Sequence, residues 1–239
     1  MQKRIMSLSK IILLAALSIR IALHASPFQP TELVDFVKKS IDNAKNGISK
    51  LSPDILGIEG MSGSKGRHLL NNLCSLPGAN YLEIGVWKGS TFISAVYANE
   101  RSLASAIAID NWSEFGGPQS EFLKNMQKFL LPEKAAFYNT DCFVIDKQNT
   151  FLKPVNIYFY DGNHTVESHK KAFTYFNDIL DDLFIAVVDD WAWDLVKSGT
   201  KSAFEELHYQ VLFEETLPSY VASDKENWWN GLYVAVIRK

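Results

Sequence analysis

The feature that most constrains the fold of this 239-residue chain is an alternation of short apolar runs with helical segments, which begins at Asn80. The apolar runs, rich in branched and aromatic residues, are YLEI, LASAIAI, AAFYNT, VNIYFY and DLFIAVVD. The helical segments are STFISAVYAN, QSEFLKNMQKFLL and VESHKKAFTYFNDIL. Because strands that alternate with helices run parallel and are covered on both faces, the pattern predicts an α/β protein with a doubly wound, mostly parallel sheet.

The C-terminal end breaks this alternation. Two strand-like runs, YQVLFEETL and GLYVAVIRK, follow one another with no helical segment between them. The sequence that connects them is PSYVASDKENWWN. Strands joined without a crossover helix are typically antiparallel, so we predict an antiparallel pair that closes one edge of the sheet.

The N-terminal segment, residues 1–27, has the outline of a secretory signal. It carries Lys3 and Arg4, then the apolar run IILLAAL, then small residues. Lys10 and Arg20 interrupt the run, which is also too short for a transmembrane helix. A cleaved signal, a membrane-touching extension and a misplaced start codon all stay open. We predict a cytoplasmic protein, with secretion as the alternative.

Residues 28–78 are predicted to form a helical extension that precedes the main domain, residues 79–239. The segment TELVDFVKKSIDNAK has apolar residues at helical spacing and stops at Gly47. A loop rich in Ser, Pro and Gly follows. Ser64 is the predicted N-cap of a second helix, KGRHLLNNLC.

The composition excludes several classes of protein. With 47% apolar and 21% charged residues, the chain is typical of a globular protein rather than a disordered one. A formal charge of −3 without a basic cluster gives no reason to expect a nucleic-acid partner. Cys74 and Cys142 show no metal-binding or disulfide spacing, so we interpret both as core residues. The sequence does not indicate an oligomeric state.

Acidic residues follow nearly every predicted parallel strand. In open α/β sheets, ligands bind at the carboxyl ends of the strands, so these positions are candidates for chemistry. The candidates are Glu83 with Gly85 and Gly89, Asp110, Asp141, Asp161 with His164, and Asp189 with Asp190. Packing does not explain a row of acidic residues at successive strand ends.

The first candidate is the E-x-G-x-x-x-G turn of Glu83, Gly85 and Gly89. Gly85 can adopt backbone angles closed to other residues, and Gly89 lets the next helix approach the strand. A dinucleotide-binding turn has the pattern G-x-G-x-x-G instead. The carboxylate in this turn disfavours a pyrophosphate and favours a cationic ligand such as S-adenosylmethionine. A tight turn without a ligand is the alternative.

Asp110 and Asp141 are interpreted as contacts to a nucleoside. Asp110 ends the second strand, about twenty residues beyond the last glycine, where a carboxylate can accept both ribose hydroxyls. Asp141 lies where an adenine amino group could be met. For both residues, capping of the following turn is the alternative.

Asp161, Asp189 and Asp190 are predicted to converge from the ends of two neighbouring strands. Three carboxylates held close together repel one another unless protons or a cation compensate, so we predict a Mg²⁺ site. The alternative is an Asp-Gly turn at Asp161 and a helix cap at Asp189 or Asp190. His164 is a candidate general base because its unperturbed pKa is near neutrality. A solvated loop histidine is an equally simple explanation.

Other residues near these strand ends receive simpler interpretations. His169 is interpreted as a surface residue of the following helix. Trp191, Trp193, Trp228 and Trp229 are interpreted as core residues, with the wall of an acceptor pocket as the alternative.

The motifs YLEIGVWKGST, AIAIDNW, YFYDGNH and VVDDW, in this order and spacing, resemble those of the class I S-adenosylmethionine-dependent methyltransferases. The resemblance covers roughly residues 60 to 239 and is strongest to the macrocin-type sugar O-methyltransferases. It implies a Rossmann-like, seven-stranded sheet with a reversed last strand. It also implies a carboxylate-bound Mg²⁺ that grips a pair of hydroxyls on the acceptor.

For individual residues, the resemblance implies specific contacts with the cofactor. Glu83, Gly85 and Gly89 are expected to shape its methionine end, Asp110 to bind the ribose and Asp141 to lie near the adenine.

The sequence therefore predicts an S-adenosylmethionine-dependent O-methyltransferase that acts on a small-molecule or sugar hydroxyl with Mg²⁺ assistance. Asp161 or His164 would accept the proton. The first alternative is a metal-dependent hydrolase that uses only the cluster of Asp161, Asp189 and Asp190. The others are an NAD-dependent oxidoreductase that uses the turn and Asp110, and an exported binding module without a cofactor.

Overall fold

A computed structural model describes residues 28–129 and 133–239, which form a central sheet with helices on both faces. The helices are α1 (Pro30–Lys45), α2 (Pro53–Leu56), α3 (Ser64–Leu73), α4 (Ser90–Val96), α5 (Gln119–Lys128), α6 (Lys147–Thr150), α7 (Val166–Phe176) and α8 (Asp194–Glu206). The strands are β1 (Ala79–Ile84), β2 (Leu103–Asp110), β3 (Ala135–Asn139), β4 (Val155–Tyr160), β5 (Leu180–Val188), β6 (Gln210–Leu217) and β7 (Leu232–Arg238).

The seven strands form one sheet in the order β3-β2-β1-β4-β5-β7-β6. The pairs from β3 through β5 are parallel, whereas β7 is antiparallel to both of its neighbours, β5 and β6. The predicted seven-stranded, mostly parallel sheet with a reversed last strand is therefore confirmed. The chain builds outward from β1 to β3 and then restarts at β4 on the other side of β1. The switch point of the sheet thus lies between the carboxyl ends of β1 and β4.

Two apolar cores hold the strand ends in place. Strands β1 and β4 are buried along their whole length, as expected for parallel strands covered on both faces. On one face, Tyr81 of β1 stacks with Phe92 of α4. On the other face, Tyr158 of β4 packs against Phe173 of α7, which in turn packs against Phe204 of α8.

The predicted N-terminal extension packs directly on the sheet. Val37 of α1 and Leu70 of α3 belong to the same buried cluster as Val236 of β7. Arg67 of α3 donates hydrogen bonds to backbone carbonyls in and just after α2. The hydroxyl of Ser62 lies 3.0 Å from that of Ser90 at the start of α4. The loop before α3 is thereby held at the carboxyl end of β1.

Two local details differ from the predictions. Helix α8 entered the sequence analysis only in the alternative that makes Asp189 or Asp190 a helix cap, and its N-cap is Trp193 instead. Small or polar residues occupy much of its buried face and hide the helical spacing. That face consists of Val196, Gly199, Thr200, Ala203 and Phe204. The N-cap of α3 is Gly63 rather than Ser64, which is the first helical residue.

The interpretations of residues 1–27, as a signal or as a membrane-touching segment, lie outside the described residues. Leu130 and Leu131, at the end of the predicted segment QSEFLKNMQKFLL, also lie outside them. In the part of the chain that the structure describes, no helix has the length and apolar character needed to cross a membrane.

Candidate active site

A cavity of about 520 Å³ opens at the carboxyl ends of β1, β2, β4 and β5, at the switch point of the sheet. Its walls come from the loops after these strands, from the turn after β3 and from the connection between β6 and β7. The predicted site residues that line it are Gly85, Asp110, Asp141, Asp161, His164, Asp189 and Asp190. The structure therefore brings seven of the nine predicted residues to one cavity, and it places Glu83 and Gly89 behind the wall.

The backbone of the turn after β1 requires both of its glycines. Gly85 has a φ of +83°, and a Cβ atom there would lie 1.8 Å from the carbonyl oxygen of Asp161. Gly89 has a φ of +85°, and a Cβ atom there would lie 2.8 Å from Cδ2 of Phe122. Both φ values are in the left-handed region, which side chains disfavour. Gly85 lets the loops after β1 and β4 meet at the floor of the cavity, and Gly89 lets α4 approach α5.

Asp110 organises the turn after β1 from the neighbouring strand. Its Oδ2 accepts hydrogen bonds from the N–H groups of Val86 at 2.7 Å and Trp87 at 2.9 Å. Its Oδ1 accepts one from the N–H of Trp112 at 2.6 Å. A carboxylate has about four acceptor positions, so Asp110 keeps the capacity to accept a ligand hydroxyl. Capping is thus part of its role, and the ribose contact stays a prediction.

Trp87, Trp112 and Phe115 line the cavity and were missed by the sequence analysis. Trp87 and Trp112 have φ values of 47° and 48°. The indole Nε1–H of Trp112 donates to the carbonyl of Trp87 at 2.8 Å, and the indole of Trp87 donates to the carbonyl of Phe115 at 3.2 Å. A tryptophan soon after each of two strand ends was the signal that could have indicated this aromatic wall.

Asp141 precedes a 3₁₀ turn, Cys142–Val144, and its Oδ1 accepts from the N–H of Phe143 at 2.8 Å. The capping alternative is therefore present in the structure. Asp141 also lines the cavity together with Cys142 and Phe143. Burial raises the pKa of the Cys142 thiol to about 12, which keeps the thiol neutral. Contact between Asp141 and an adenine stays a prediction.

Glu83 lies behind the cavity wall. Its side chain projects from the same face of β1 as Tyr81 and is completely buried. Thr91 Oγ1 donates to its Oε1 at 2.5 Å, and the Tyr81 hydroxyl donates to its Oε2. Since Thr91 itself lines the cavity, an effect of Glu83 on a ligand would pass through Thr91. That Glu83 acts at the methionine end of the cofactor stays a prediction, with Thr91 as the residue between them.

Burial also makes Glu83 an unusual acid. Removal from water raises its pKa to about 8, although hydrogen bonds from Thr91 and Tyr81 oppose the rise. Between the ordinary value of 4.5 and about 8, the folded protein holds a proton that the unfolded chain has released. The free energy of unfolding should therefore fall as the pH rises through this window.

Glu83→Gln cannot ionise, so we expect its unfolding free energy to fall less than that of the wild type between about pH 6 and about pH 8.5. Chemical denaturation at the two pH values measures this difference. Asp161 and Asp189 titrate in the same direction but are present in both proteins. Glu100→Gln, at an exposed position, is the matched control and should keep the wild-type pH dependence. The same dependence in Glu83→Gln and wild type would contradict the prediction.

Asp161, His164 and Asp190 form the charged end of the cavity, with their candidate ligand atoms within 4.8 Å of one another. His164 Nε2 lies 2.6 Å from Asp190 Oδ2. Asp190 Oδ1 accepts a hydrogen bond from Asn230 Nδ2 at 2.6 Å. Of the three carboxylates that were expected to converge, Asp161 and Asp190 belong to this group together with His164, and Asp189 lies outside it.

Asp189 lies deeper and contacts the carboxyl group of Asp161. Desolvation raises the pKa of both acids well above the ordinary value, and neighbouring acidic groups add to the rise. Among the described residues, Asp189 Oδ1 has no hydrogen-bond partner although it is fully buried. A buried unpaired oxygen is costly, and clustered carboxylates need protons or a cation. The donor set therefore fits a hard divalent cation with oxygen ligands.

His169 is buried, so its interpretation as a surface residue is wrong. Its ring packs edge-on against Tyr160 with 4.9 Å between ring centroids, and its Nδ1 lies 3.5 Å from Thr200 Oγ1. Burial lowers the pKa of His169 to about 4, which keeps the ring neutral. His169 faces α8, the helix that the sequence analysis missed, and this explains the error.

Of the four tryptophans that the sequence analysis interpreted as core residues, two lie in the core and two line the cavity. Trp191 stacks on Tyr233 with 4.1 Å between ring centroids, and Trp228 is buried, so these two belong to the core. Trp193 and Trp229 line the cavity. Trp193 is 43% exposed and meets the His164 ring edge-on at 4.4 Å between centroids.

Residues 82–191 match a protein-family profile described as a methyltransferase domain. The matched range is somewhat less than half of the chain and contains every predicted site residue. No curated protein matches the chain. The sheet topology and this match define a methyltransferase domain with the class I fold, and at that level the predicted enzyme class is confirmed.

Several solved structures have the same fold. One is an O-methyltransferase from Bacillus cereus in complex with S-adenosylhomocysteine, with a TM-score of 0.53 and 13% sequence identity. The superposition covers 86% of this chain and 91% of that chain. TomG from Streptomyces achromogenes, an O-methyltransferase of tomaymycin synthesis in complex with S-adenosylmethionine, has a TM-score of 0.53 and 16% identity, covering 85% and 90%. TrmN from Thermus thermophilus has a TM-score of 0.54 and 12% identity, covering 78% and 52%. At these identities, the likeness shows the fold alone.

Proposed function

We propose that this protein is an S-adenosylmethionine-dependent O-methyltransferase whose acceptor is a small molecule that carries a hydroxyl group. One observation carries the proposal: the Gly85 turn with Asp110 and the cluster of Asp161, His164 and Asp190 open on a single cavity. The first set suits a nucleoside cofactor, and the second suits removal of a proton. The complexes of the Bacillus cereus and Streptomyces achromogenes proteins with S-adenosylhomocysteine and S-adenosylmethionine support the choice of cofactor.

The cofactor end of the cavity would lie between the loops after β1, β2 and β3. Asp110 would accept the ribose hydroxyls, Trp112 and Phe143 would flank the adenine, and Asp141 would face its amino group. When bound, S-adenosylmethionine supplies an electrophilic methyl group on its sulfonium. The chain contributes by holding the acceptor oxygen in line and by keeping water away.

The acceptor end would lie over His164, Trp193 and Trp229. Asp190 beside His164 Nε2 favours the tautomer with the proton on Nε2, which leaves Nδ1 as the proton acceptor. Asp161 is the other candidate base. The aromatic side chains would pack against an acceptor ring. More specifically, we propose that the acceptor is a sugar hydroxyl. The support for a sugar is the resemblance of the motifs to those of the macrocin-type sugar O-methyltransferases.

A Mg²⁺ ion is the second part of the proposal. Asp161, Asp189 and Asp190 would hold it, and it would supply Lewis-acid chemistry that lowers the pKa of an acceptor hydroxyl. The unpaired Oδ1 of Asp189 supports this assignment.

Mn²⁺ is a spectroscopic probe for such a site, and electron paramagnetic resonance measures free Mn²⁺ directly. We expect one Mn²⁺ ion to bind to the wild type and Asp189→Asn to lower the affinity at least about tenfold, because a carboxylate ligand is lost. Asp141→Asn is the matched control and should bind Mn²⁺ as the wild type does. Absence of binding to the wild type at millimolar Mn²⁺ would overturn the metal assignment and leave the cofactor assignment intact.

Methyl transfer itself can be tested with S-adenosylmethionine that carries a tritiated methyl group and a panel of sugars, catechols, simple alcohols, amines and transfer RNA. We expect label to appear in a hydroxylic acceptor. Label found only in amine or nucleic-acid acceptors would contradict the proposed O-methylation. A hydrolase and an oxidoreductase are not favoured, because the family match covers the Gly turn together with the acidic cluster.

A further inference from the structure

The connection between β6 and β7, residues 218–231, forms one wall of the cavity through Ser223, Trp229 and Asn230. It is a closed loop, since the backbones of Asp224 and Trp229 pair with each other. The side chain of Asn227 also donates to Asp224 Oδ2 at 2.7 Å. The loop therefore has a defined shape where it meets the charged end of the site.

Asn230 links this loop to the acidic cluster with both ends of its amide. Its Nδ2 donates to Asp190 Oδ1 at 2.6 Å, and its Oδ1 accepts from the N–H of Ser223 at 3.1 Å. Its backbone carbonyl accepts from the N–H of Ala192 at 3.0 Å. Asn230 is thus bound both to its own loop and to the segment that carries Asp190.

Asp190 needs such a partner. Its side chain is almost completely buried, and its backbone has a φ of 53°, in the left-handed region. One carboxylate oxygen meets Asn230 and the other meets His164 Nε2. Asn230 and His164 therefore contact the two oxygens of the same carboxylate.

The N-terminal extension holds the loop from the opposite side. The N–H of Ser64 donates to the carbonyl of Lys225 at 2.8 Å, and its hydroxyl donates to the carbonyl of Glu226 at 2.7 Å. Lys65 Nζ donates to Asn227 Oδ1 at 2.6 Å. The loop is therefore anchored independently of Asp190, so the bond between Asn230 and Asp190 can be removed without releasing the loop.

We propose that Asn230 is a positioning residue that fixes the carboxylate of Asp190 and, through it, the tautomer and orientation of His164. Its significance for catalysis rests on the proposed function. Its structural effect does not, because the contacts exist within this chain without a cofactor or an acceptor.

The test is nuclear magnetic resonance of protein labelled with ¹⁵N-histidine, without metal or cofactor. The sequence has five histidines, and the His164 signals are those lost in His164→Gln. In the wild type we expect a slowly exchanging, far-downfield Nε2–H signal from His164. In Asn230→Ala and Asn230→Asp we expect loss of that signal. Asn230→Asp has nearly the same shape and keeps an oxygen for the Ser223 N–H, but it replaces the amide donor with a carboxylate that repels the carboxylate of Asp190.

Asn227→Ala is the matched control, since it breaks loop contacts without touching Asp190, and it should keep the Nε2–H signal. Signals of His68 and His169 report whether each variant is folded. A His164 signal unchanged in either folded Asn230 variant, or lost equally in Asn227→Ala, would overturn the proposal. Once an acceptor is known, kcat should fall in Asn230→Asp while the KM for S-adenosylmethionine stays at its wild-type value. A failure of cofactor binding would leave the magnetic resonance result valid.

Discussion

Gly85→Ala is expected to abolish binding of S-adenosylhomocysteine. An alanine Cβ at position 85 would overlap the carbonyl oxygen of Asp161 at 1.8 Å, and both groups belong to the backbone floor of the cavity. The loops after β1 and β4 would have to separate. That movement would displace the N–H groups of Val86 and Trp87 from Asp110 as well as Asp161 from the charged cluster. Isothermal titration with S-adenosylhomocysteine measures the loss.

The control for this substitution is Gly78→Ala. Gly78 also has a positive φ, of +75°, but apart from its two neighbours in the chain, none of the described residues has a heavy atom within 4 Å of the position that a Cβ atom would take there. Its alanine variant therefore carries the backbone strain, about 1–2 kcal/mol, without the overlap. We expect it to lose stability and to bind the ligand as the wild type does. Wild-type affinity in folded Gly85→Ala would show that the turn does not form the ligand site.

Asp110→Ala is expected to weaken binding of S-adenosylhomocysteine by about 10-fold to 100-fold or more, since one hydrogen bond to a charged group contributes roughly 1.5–3 kcal/mol. The substitution removes the acceptor for the N–H groups of Val86, Trp87 and Trp112 and the proposed acceptor for the ribose. Titration calorimetry with S-adenosylhomocysteine measures the change.

Asp146→Ala is the matched control for Asp110→Ala. Asp146 also accepts a hydrogen bond from a backbone N–H group, that of Asn149, but it does not line the cavity. Its alanine variant should bind the ligand as the wild type does. An Asp110→Ala protein with wild-type affinity would contradict the cofactor position proposed here.

The architecture was predictable because the helix and strand periods of this chain are regular. The run VNIYFY is apolar or aromatic at every position except Asn156, a pattern typical of a strand that is covered on both faces. Helix α8 was missed because Gly199 and Thr200 stand on its buried face, where α7 and α8 approach closely. The Cβ of an alanine at position 199 would lie 2.4 Å from the carbonyl oxygen of Val166. Close helix packing thus removed the apolar signal that sequence reasoning depends on.

The candidate site was predictable where residues follow strands directly, as Asp110 and Asp161 do. It was not predictable where the direction of a side chain determines whether a residue faces the cavity. Glu83 alternates with residues that face the other side of β1, and only the surrounding helices show that it points to Thr91 rather than into the cavity. Asn230 lies 40 residues from Asp190 in the chain. No local pattern joins them, and the contact follows from the pairing of β7 with β5.

The central claim is that the cavity at the switch point binds S-adenosylmethionine, and calorimetric titration of the full chain with S-adenosylmethionine, S-adenosylhomocysteine and NAD⁺ tests it most directly. We expect one binding site for each of the two methionine-derived ligands and no heat with NAD⁺. Absence of binding heat and of any thermal shift with either methionine-derived ligand at millimolar concentration would contradict the account.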